Sequence, residues 1–538
     1  MTRLGVLILL GALALVAVPS TALARGGLAR ELEPYGAGLV LARPGAGPAL
    51  RRAGGEKIAT ALPIWRVPTR SALKVLPELL RSDLVSEVSP DQPLSALDQP
   101  PPPEGTDWWI PFVRANGATP PGPGKPLTII DTGVDLTHEE FAGRPFTTAL
   151  NPQSTSARFD EHGTAVASVA AAPMNGLGVA GVYPQANLYV WDASPSGVGI
   201  TVGDVVRGLD AAIRTGQGVV NLSLGSQLRN PFIDRMIAVT QASGTLVVAA
   251  AGNSRQNGSP LEYPASLPHV LTVGALDATG QPTFFTSGSS HVDLSAPGEG
   301  IWVAVPTTLH PPTNYDVFDG TSFASPMVAA AADWVWTVRP TLDVSQLFDV
   351  MRASAQDVSN PGFDSLTGFG RLDIPAALTV APPPRDPQEP NEDVSYVKPG
   401  GILHHAAAPL TSAGRKSGSV TARLDVGDDP RDVYRIWVPG KRAASVALQP
   451  TDGDTDLALW GPKTISVLET GPARKRDAHG ISERSGTKRE RLRVRNTSAK
   501  GAYFYVEASV AGAGGNRSRH VAGVGYRLAV SIVKDARP

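Results

Sequence analysis

Cysteine is absent from all 538 residues, so no disulfide can cross-link this chain. An excess of either charge is absent too, with 48 Lys and Arg against 49 Asp and Glu. That balance gives no sign of nucleic acid or an acidic lipid surface as the main partner. Long apolar runs are missing except at the start. There Arg3, an apolar run from Leu4 to Val18 and the small triplet Ala22-Leu23-Ala24 form the pattern of a Sec-type signal peptide. The run is shorter than the roughly 20 residues a membrane span needs, so the expectation is an exported chain with no membrane anchor. An exported protein without disulfides relies on core burial or bound metal, which makes calcium sites worth seeking.

The length calls for two or three domains. Residues from about 30 to 95 alternate strand-like and helix-like pieces: Lys57–Pro68 extended, Ser71–Ser82 helical but interrupted by Pro77, and Leu84–Leu94 extended. The proline-rich stretch Asp98–Asp107 reads as a linker. From Trp108 to about Leu378, continuous apolar runs alternate with amphipathic stretches. The runs are Leu127–Ile130, Asn187–Trp191, Val219–Leu224, Thr245–Ala251 and His269–Ala275. Continuity is the mark of strands covered on both faces, which predicts an α/β doubly wound, mostly parallel sheet with its sites at the carboxyl ends of the strands. A second proline-rich break, Ala381–Glu392, precedes short alternating strands that predict a β-sandwich.

Four short motifs carry the chemistry. Asp131 in "IIDTGVD" follows a buried strand, where a carboxylate is costly unless hydrogen-bonded; alone it reads equally well as a turn cap. His162 in "EHGTAVAS" opens a helix of small residues, and a single histidine there is more often structural. Asn253 in "AAAGNS" lies just past a buried strand, as a turn former or as an amide donor to an oxyanion. In "GTSFASPMVAAA", Pro326 lacks an N–H and leaves the carbonyl of Ser322 without its helical partner. Ser322 therefore belongs at the helix mouth, where free N–H groups and the dipole favour negative charge, while Ser325 lies deeper and packs. A hydroxyl, an imidazole and a carboxylate are the parts of nucleophilic acyl transfer, and their combination is far more specific than any one of them.

In the order Asp131, His162, Ser322, with Asn253 between the last two, these motifs resemble the subtilisin-like serine proteases (subtilases). The resemblance runs from about Trp108 to Leu378; Ala165 departs from it, since many members carry a second histidine there, outside the triad. It implies a secreted, monomeric serine endopeptidase acting on protein or peptide substrates. The implied layout is a signal peptide (1–24), an inhibitory pro-domain and linker (25–105), a peptidase domain (106–380), a linker (381–393) and a C-terminal β-sandwich (394–538). The last resembles the bacterial pre-peptidase C-terminal domain. The pro-domain is expected to be cut off between Leu94 and Trp108, acting until then as an intramolecular inhibitor.

The resemblance also carries over binding residues. Ser223, Leu224 and Gly225 match the edge strand that pairs with substrate backbone. Glu262, before Tyr263-Pro264, matches the floor of the S1 pocket and would attract Lys or Arg at P1, unless it turns to solvent. Glu140 and Asn175, with carbonyls of Pro173, Leu177 and Val179, match a calcium site, against the alternative of an ordinary Asn-Gly turn. The basic run Arg474–Asn496 reads as a solvated loop and edge strand, and as a self-cleavage candidate if Glu262 selects basic P1. The rivals are a catalytically silent subtilase scaffold and a transpeptidase or esterase using the same acyl-enzyme.

Overall fold

The computed structural model describes residues 28–29, 32–96, 107–152, 160–197, 199–309, 314–403, 407–468, 476–510 and 523–534. The signal-peptide pattern and nearly all of the first proline-rich stretch lie outside the described residues. No described helix is long and apolar enough to cross a membrane.

The chain divides into two compact units, the first built mainly from residues up to Gln92. In that unit β1 (Ala37–Ala42), α1 (Gly47–Arg52), β2 (Glu56–Lys57), β3 (Ile64–Pro68), α2 (Thr69–Arg81) and β4 (Val85–Pro90) follow in order. The sheet is antiparallel in the order β2-β3-β1-β4, and all six residues of β1 are buried. The segment Lys57–Pro68 is thus two strands rather than one. Pro77 does not break α2 either. Ala72, Leu76, Leu79 and Leu80 form a buried stripe at helical spacing, and their packing outweighs one missing hydrogen bond.

The second unit begins with β5 (Pro93–Ala96) and holds the large sheet: β6 (Pro126–Asp131), β7 (Thr147–Ala149), β8 (Asn187–Asp192), β10 (Val219–Leu222), β12 (Leu246–Ala250), β13 (Val270–Leu276) and β14 (Leu294–Pro297). Between these lie β9 (Ile200–Thr201) and β11 (Leu224–Gly225), two short strands outside that sheet. The order is β14-β13-β12-β10-β6-β8-β7, with every pairing parallel. Strands β10, β12 and β13 are buried at every residue, as continuous apolar runs require. Strand β8 instead alternates buried and half-buried positions, so one of its two faces is less fully covered than the other.

Helices α3 (His162–Ala171), α4 (Val202–Thr215), α5 (Pro231–Ala242), α6 (Thr321–Val338) and α7 (Val344–Ala353) complete the layers. Helix α6 is buried from Thr321 to Trp336, and the Ala-rich middle of this helix lets it pass close to the sheet and to α3. An antiparallel pair, β15 (Ile301–Ala304) and β16 (Tyr315–Phe318), and then two antiparallel four-stranded sheets follow. These two sheets use β17 (Ser417–Leu424), β18 (Arg431–Val438), β19 (Arg442–Pro450), β20 (Thr455–Trp460), β21 (Ala478–Ser482), β22 (Glu490–Arg495), β23 (Ala502–Val510) and β24 (Val524–Lys534). Their inner faces share one apolar core, with Leu448, Val506 and Leu528 among its buried residues. The basic run contributes β21 and β22, each at the edge of its sheet.

Candidate active site

Strand β6 delivers Asp131 to the carboxyl end of the sheet, and α3 begins at His162 opposite it. His162 Nδ1 lies 2.7 Å from Asp131 Oδ1, with both side chains about 98% buried or more. The backbone N–H of Thr132 donates to the same oxygen at 2.8 Å. So close an approach depends on Gly163, where an added Cβ would stand 2.2 Å from the carbonyl oxygen of Gly133. Asp160 accepts the His162 backbone N–H at 2.8 Å and the Thr132 hydroxyl at 3.1 Å, bracing both halves of the pair.

Ser322 stands in the first turn of α6 and is fully buried. Its neighbour Phe323 has its ring 5.9 Å from the imidazole of His162. The Ser322 carbonyl, which Pro326 cannot satisfy, accepts from the Ser223 hydroxyl at 2.7 Å. Behind it runs a relay: the Ser325 hydroxyl donates to Asn221 Oδ1 at 2.7 Å, and Asn221 Nδ2 donates to the Ser223 hydroxyl at 2.9 Å. Ser325 is therefore more than packing. Through Asn221 on β10 it ties Ser223, just past that strand, to the helix that carries Ser322.

Asn253 joins this group through Thr321, whose backbone N–H and hydroxyl both donate to Asn253 Oδ1, at 3.0 and 2.9 Å. Two donors on Oδ1 settle which way the amide faces. Sequence reasoning passed over Thr321, Asp160 and Asn221. The last had a readable signal: a polar side chain within an otherwise apolar buried strand demands a specific partner.

Strand β11 pairs antiparallel with β5, Leu224 opposite Ala96 and Gly225 opposite Ser95. On its other edge β5 pairs with β9, Leu94 opposite Ile200 and Pro93 opposite Thr201. A segment of the chain's own upstream region thus forms the middle strand of a three-stranded sheet beside Ser223. Glu262 is 4% exposed, not turned to solvent. Its side chain packs where a Cβ on Gly252 would meet it at 2.6 Å, next to Asn253, and Tyr263 bridges to Ser226 just past β11. Burial raises the Glu262 carboxyl above the usual range, opposed by a hydrogen bond from Gln227.

Glu140 and Asn175 also meet, Asn175 Nδ2 donating to Glu140 Oε2 at 3.3 Å. Glu140 Oε1 accepts from the Val179 N–H at 2.8 Å and the Tyr315 hydroxyl at 3.1 Å, and Asn175 Oδ1 accepts from the Leu177 N–H. Asp107, absent from the sequence expectation, belongs to this cluster. Its Oδ1 is buried without a hydrogen-bond partner, and burial followed by the nearby Glu140 charge raises its pKa. Asp107 Oδ1 is thus left without a partner near Glu140, and a calcium ion there would have Asn175 turn its Oδ1 inward in place of the Nδ2 that now faces Glu140.

A model of the subtilase family matches residues 122–370. Subtilisin E of Bacillus subtilis (strain 168) is 33% identical over 274 residues, covering 50% of this chain and 68% of that protein. Subtilisin DY of Bacillus licheniformis is 33% identical over 276 residues, covering 50% of this chain and 97% of its own length. Among solved structures, fervidolysin from Fervidobacterium pennivorans, described as a keratinolytic enzyme related to subtilisin, has a TM-score of 0.57. That match covers 85% of this chain and 84% of its own at 18% identity, a likeness of fold.

Proposed function

This chain belongs to the subtilase family and is a serine-type endopeptidase, and we propose that Ser322, His162, Asp131 and Asn253 perform its chemistry. The observation that supports this reading is the buried 2.7 Å contact between His162 Nδ1 and Asp131 Oδ1, with the ring of Phe323, next to Ser322, 5.9 Å from the imidazole. The Ser322 hydroxyl attacks the scissile carbonyl while His162 Nε2 takes its proton and later returns it to the leaving amine. Asp131 holds the imidazole in the tautomer with Nδ1 protonated and stabilises the imidazolium. The developing oxyanion accepts from Asn253 Nδ2, oriented by Thr321, and from the backbone N–H of Ser322 at the positive end of α6.

The protein is exported and made as a zymogen. Strand β5 occupies the place of substrate, bonded through its backbone between β11 and β9, which supports an upstream segment that inhibits in cis until it is cut. The cut falls beyond Ala96 and before Trp108, in a region with no Lys or Arg. Tethering supplies the affinity for that intramolecular cut, so S1 need not favour the residue there. In trans, buried Glu262 favours Lys or Arg at P1. Glu140, Asn175 and Asp107 hold a structural calcium ion, remote from any proton transfer in the reaction.

A serine-directed fluorophosphonate tests the nucleophile. The mature enzyme is expected to be labelled at Ser322, with both labelling and turnover lost in Ser322→Ala while its circular dichroism is unchanged. Labelling that survives Ser322→Ala would end the assignment.

A further inference from the structure

A second group of acidic side chains lies far along the chain from the triad, in the segment "DPQEPNED" and the turn leading into β18. Asp386, Glu389 and Asp432 each offer a carboxylate oxygen, and the three oxygens lie within 4.8 Å of one another. Asp429, in the same turn, adds a fourth carboxylate whose charge acts on Glu389 and Asp432. Like charges this close repel strongly in a buried setting. Among the described residues, none of the four is ion-paired to a lysine or arginine; the nearby Arg352 is committed to Asp293, Asp425 and Asp428.

The hydrogen bonds show which way the carboxylates face. Asp386 Oδ2 accepts the Arg423 N–H at 2.8 Å, Glu389 Oε1 accepts from Asn391 Nδ2 at 2.8 Å, and Asp432 Oδ2 accepts from the Tyr526 hydroxyl. Each of these groups thus has one oxygen tied to the protein. The other is buried and has no hydrogen-bond partner: Asp386 Oδ1, Glu389 Oε2 and Asp432 Oδ1, joined by Asp429 Oδ1. Asp432 is 0% exposed, and the Glu389 side chain is 6% exposed. The imidazole of His269 does not satisfy Glu389, since its Nε2 is 3.6 Å away and is hydrogen-bonded to Glu392 instead.

Three carboxylates with oxygens within 4.8 Å of one another, beside the charge of Asp429 and with an unpartnered buried oxygen on each of the four residues, are costly unless a cation joins them. We propose that Asp386, Glu389, Asp429 and Asp432 bind a calcium ion that ties the linker to the C-terminal sandwich. All the oxygens are hard donors, which suits calcium over zinc. Oxygens within 4.8 Å of one another can share one ion at the roughly 2.3–2.6 Å oxygen distances that calcium takes. Burial, with mutual repulsion added, also pushes Asp386 to about 8 and Asp432 to about 6, as expected of carboxylates assembled without their counter-ion. The site draws on the linker (Asp386, Glu389), the turn (Asp429) and β18 (Asp432). An ion there makes the proline-rich segment a fixed strut.

The test uses the full chain carrying Ser322→Ala, so that it cannot digest itself, stripped with chelator and titrated with calcium by calorimetry. Asp429→Asn and Asp432→Asn probe this site, and Glu140→Gln probes the one near Asn175. The parent is expected to bind one calcium more than either Asp variant, or at least tenfold more tightly at that step, while Glu140→Gln keeps it. Calcium should slow tryptic cleavage at the exposed Arg385 in the parent, and magnesium should do so poorly. In chelator both Asp variants should be at least as stable as the parent, since each removes a repelling charge. The proposal fails if Asp429→Asn and Asp432→Asn leave calcium stoichiometry and affinity unchanged. It fails equally if both lose as much stability in chelator as in calcium, the result for a purely structural carboxylate.

Discussion

Single side chains in this protein are under unusual electrostatic stress, and two of them make sharp predictions. Glu262 is buried beside Gly252 and Asn253. A cation at P1 would regain the interaction that burial took from water, a charge-assisted bond of about 1.5–3 kcal/mol. The parent enzyme is expected to prefer Arg over Phe at P1 in matched peptides, and Glu262→Gln should cut that ratio of kcat/KM by about 10–100-fold. A parent preference for Phe removes the idea. Asp333 lies within α6, fully buried, with neither oxygen hydrogen-bonded, and burial raises its pKa well above the usual value while Lys125 opposes the shift. In the unfolded chain it ionises near pH 4, whereas the folded chain holds the proton far higher. Rising pH therefore favours the unfolded state from about pH 4 upward, by at most about 1.4 kcal/mol per pH unit. Asn cannot ionise, so Asp333→Asn in a Ser322→Ala background should match the parent at pH 4 and melt higher at pH 8. Equal melting temperatures at both pH values would contradict it.

At the scale of elements, the proposed substrate region is the three-stranded sheet whose middle strand is β5. Edges of β11 and β9 are both satisfied by β5, through backbone pairing at four positions. If substrate takes that place, affinity comes from the ladder and specificity from what lies beneath it. Peptides extending to P4 should then be cleaved with kcat/KM at least about tenfold above those ending at P2, since two backbone hydrogen bonds contribute about 1–3 kcal/mol. Equal rates for long and short peptides would exclude strand addition. The same logic explains α6. A proline in its second turn is tolerated because Ser223 supplies a donor to the carbonyl of Ser322.

Across the whole second unit, charge joins the large parallel sheet to the C-terminal sandwich. Arg352 on α7 is 8% exposed and meets Asp425 and Asp428 at 3.0 Å each and Asp293 at 3.4 Å. Its guanidinium also lies over the rings of Phe348 and Phe369. Removing it strands three buried carboxylates, a loss of about 3–5 kcal/mol. Arg352→Met is expected to lower the melting temperature by about 3–5 °C or to release the sandwich as a separately melting part. Calorimetry of the Ser322→Ala chain reads either result; an unchanged single transition would show that the cluster contributes little.

The alternation of apolar runs with amphipathic stretches was enough to derive the parallel sheet, because coverage on both faces leaves its mark on every residue of β10, β12 and β13. The four motifs were readable for a related reason: glycine and small residues are needed wherever Asp131, His162 and Ser322 approach closely, as the Gly163–Gly133 contact illustrates. What local pattern could not reveal was pairing across distance. That Ser223 serves Ser322, that Thr321 orients Asn253, and that Asp107 stands near Glu140 depend on chain folding across roughly 30 to 100 residues. The segment around Glu389 read as a free linker because its prolines and charges look solvated in sequence. Burial is decided by what packs against a residue, and here the C-terminal sandwich covers it, leaving Asn391 and Asp432 at 0% exposure.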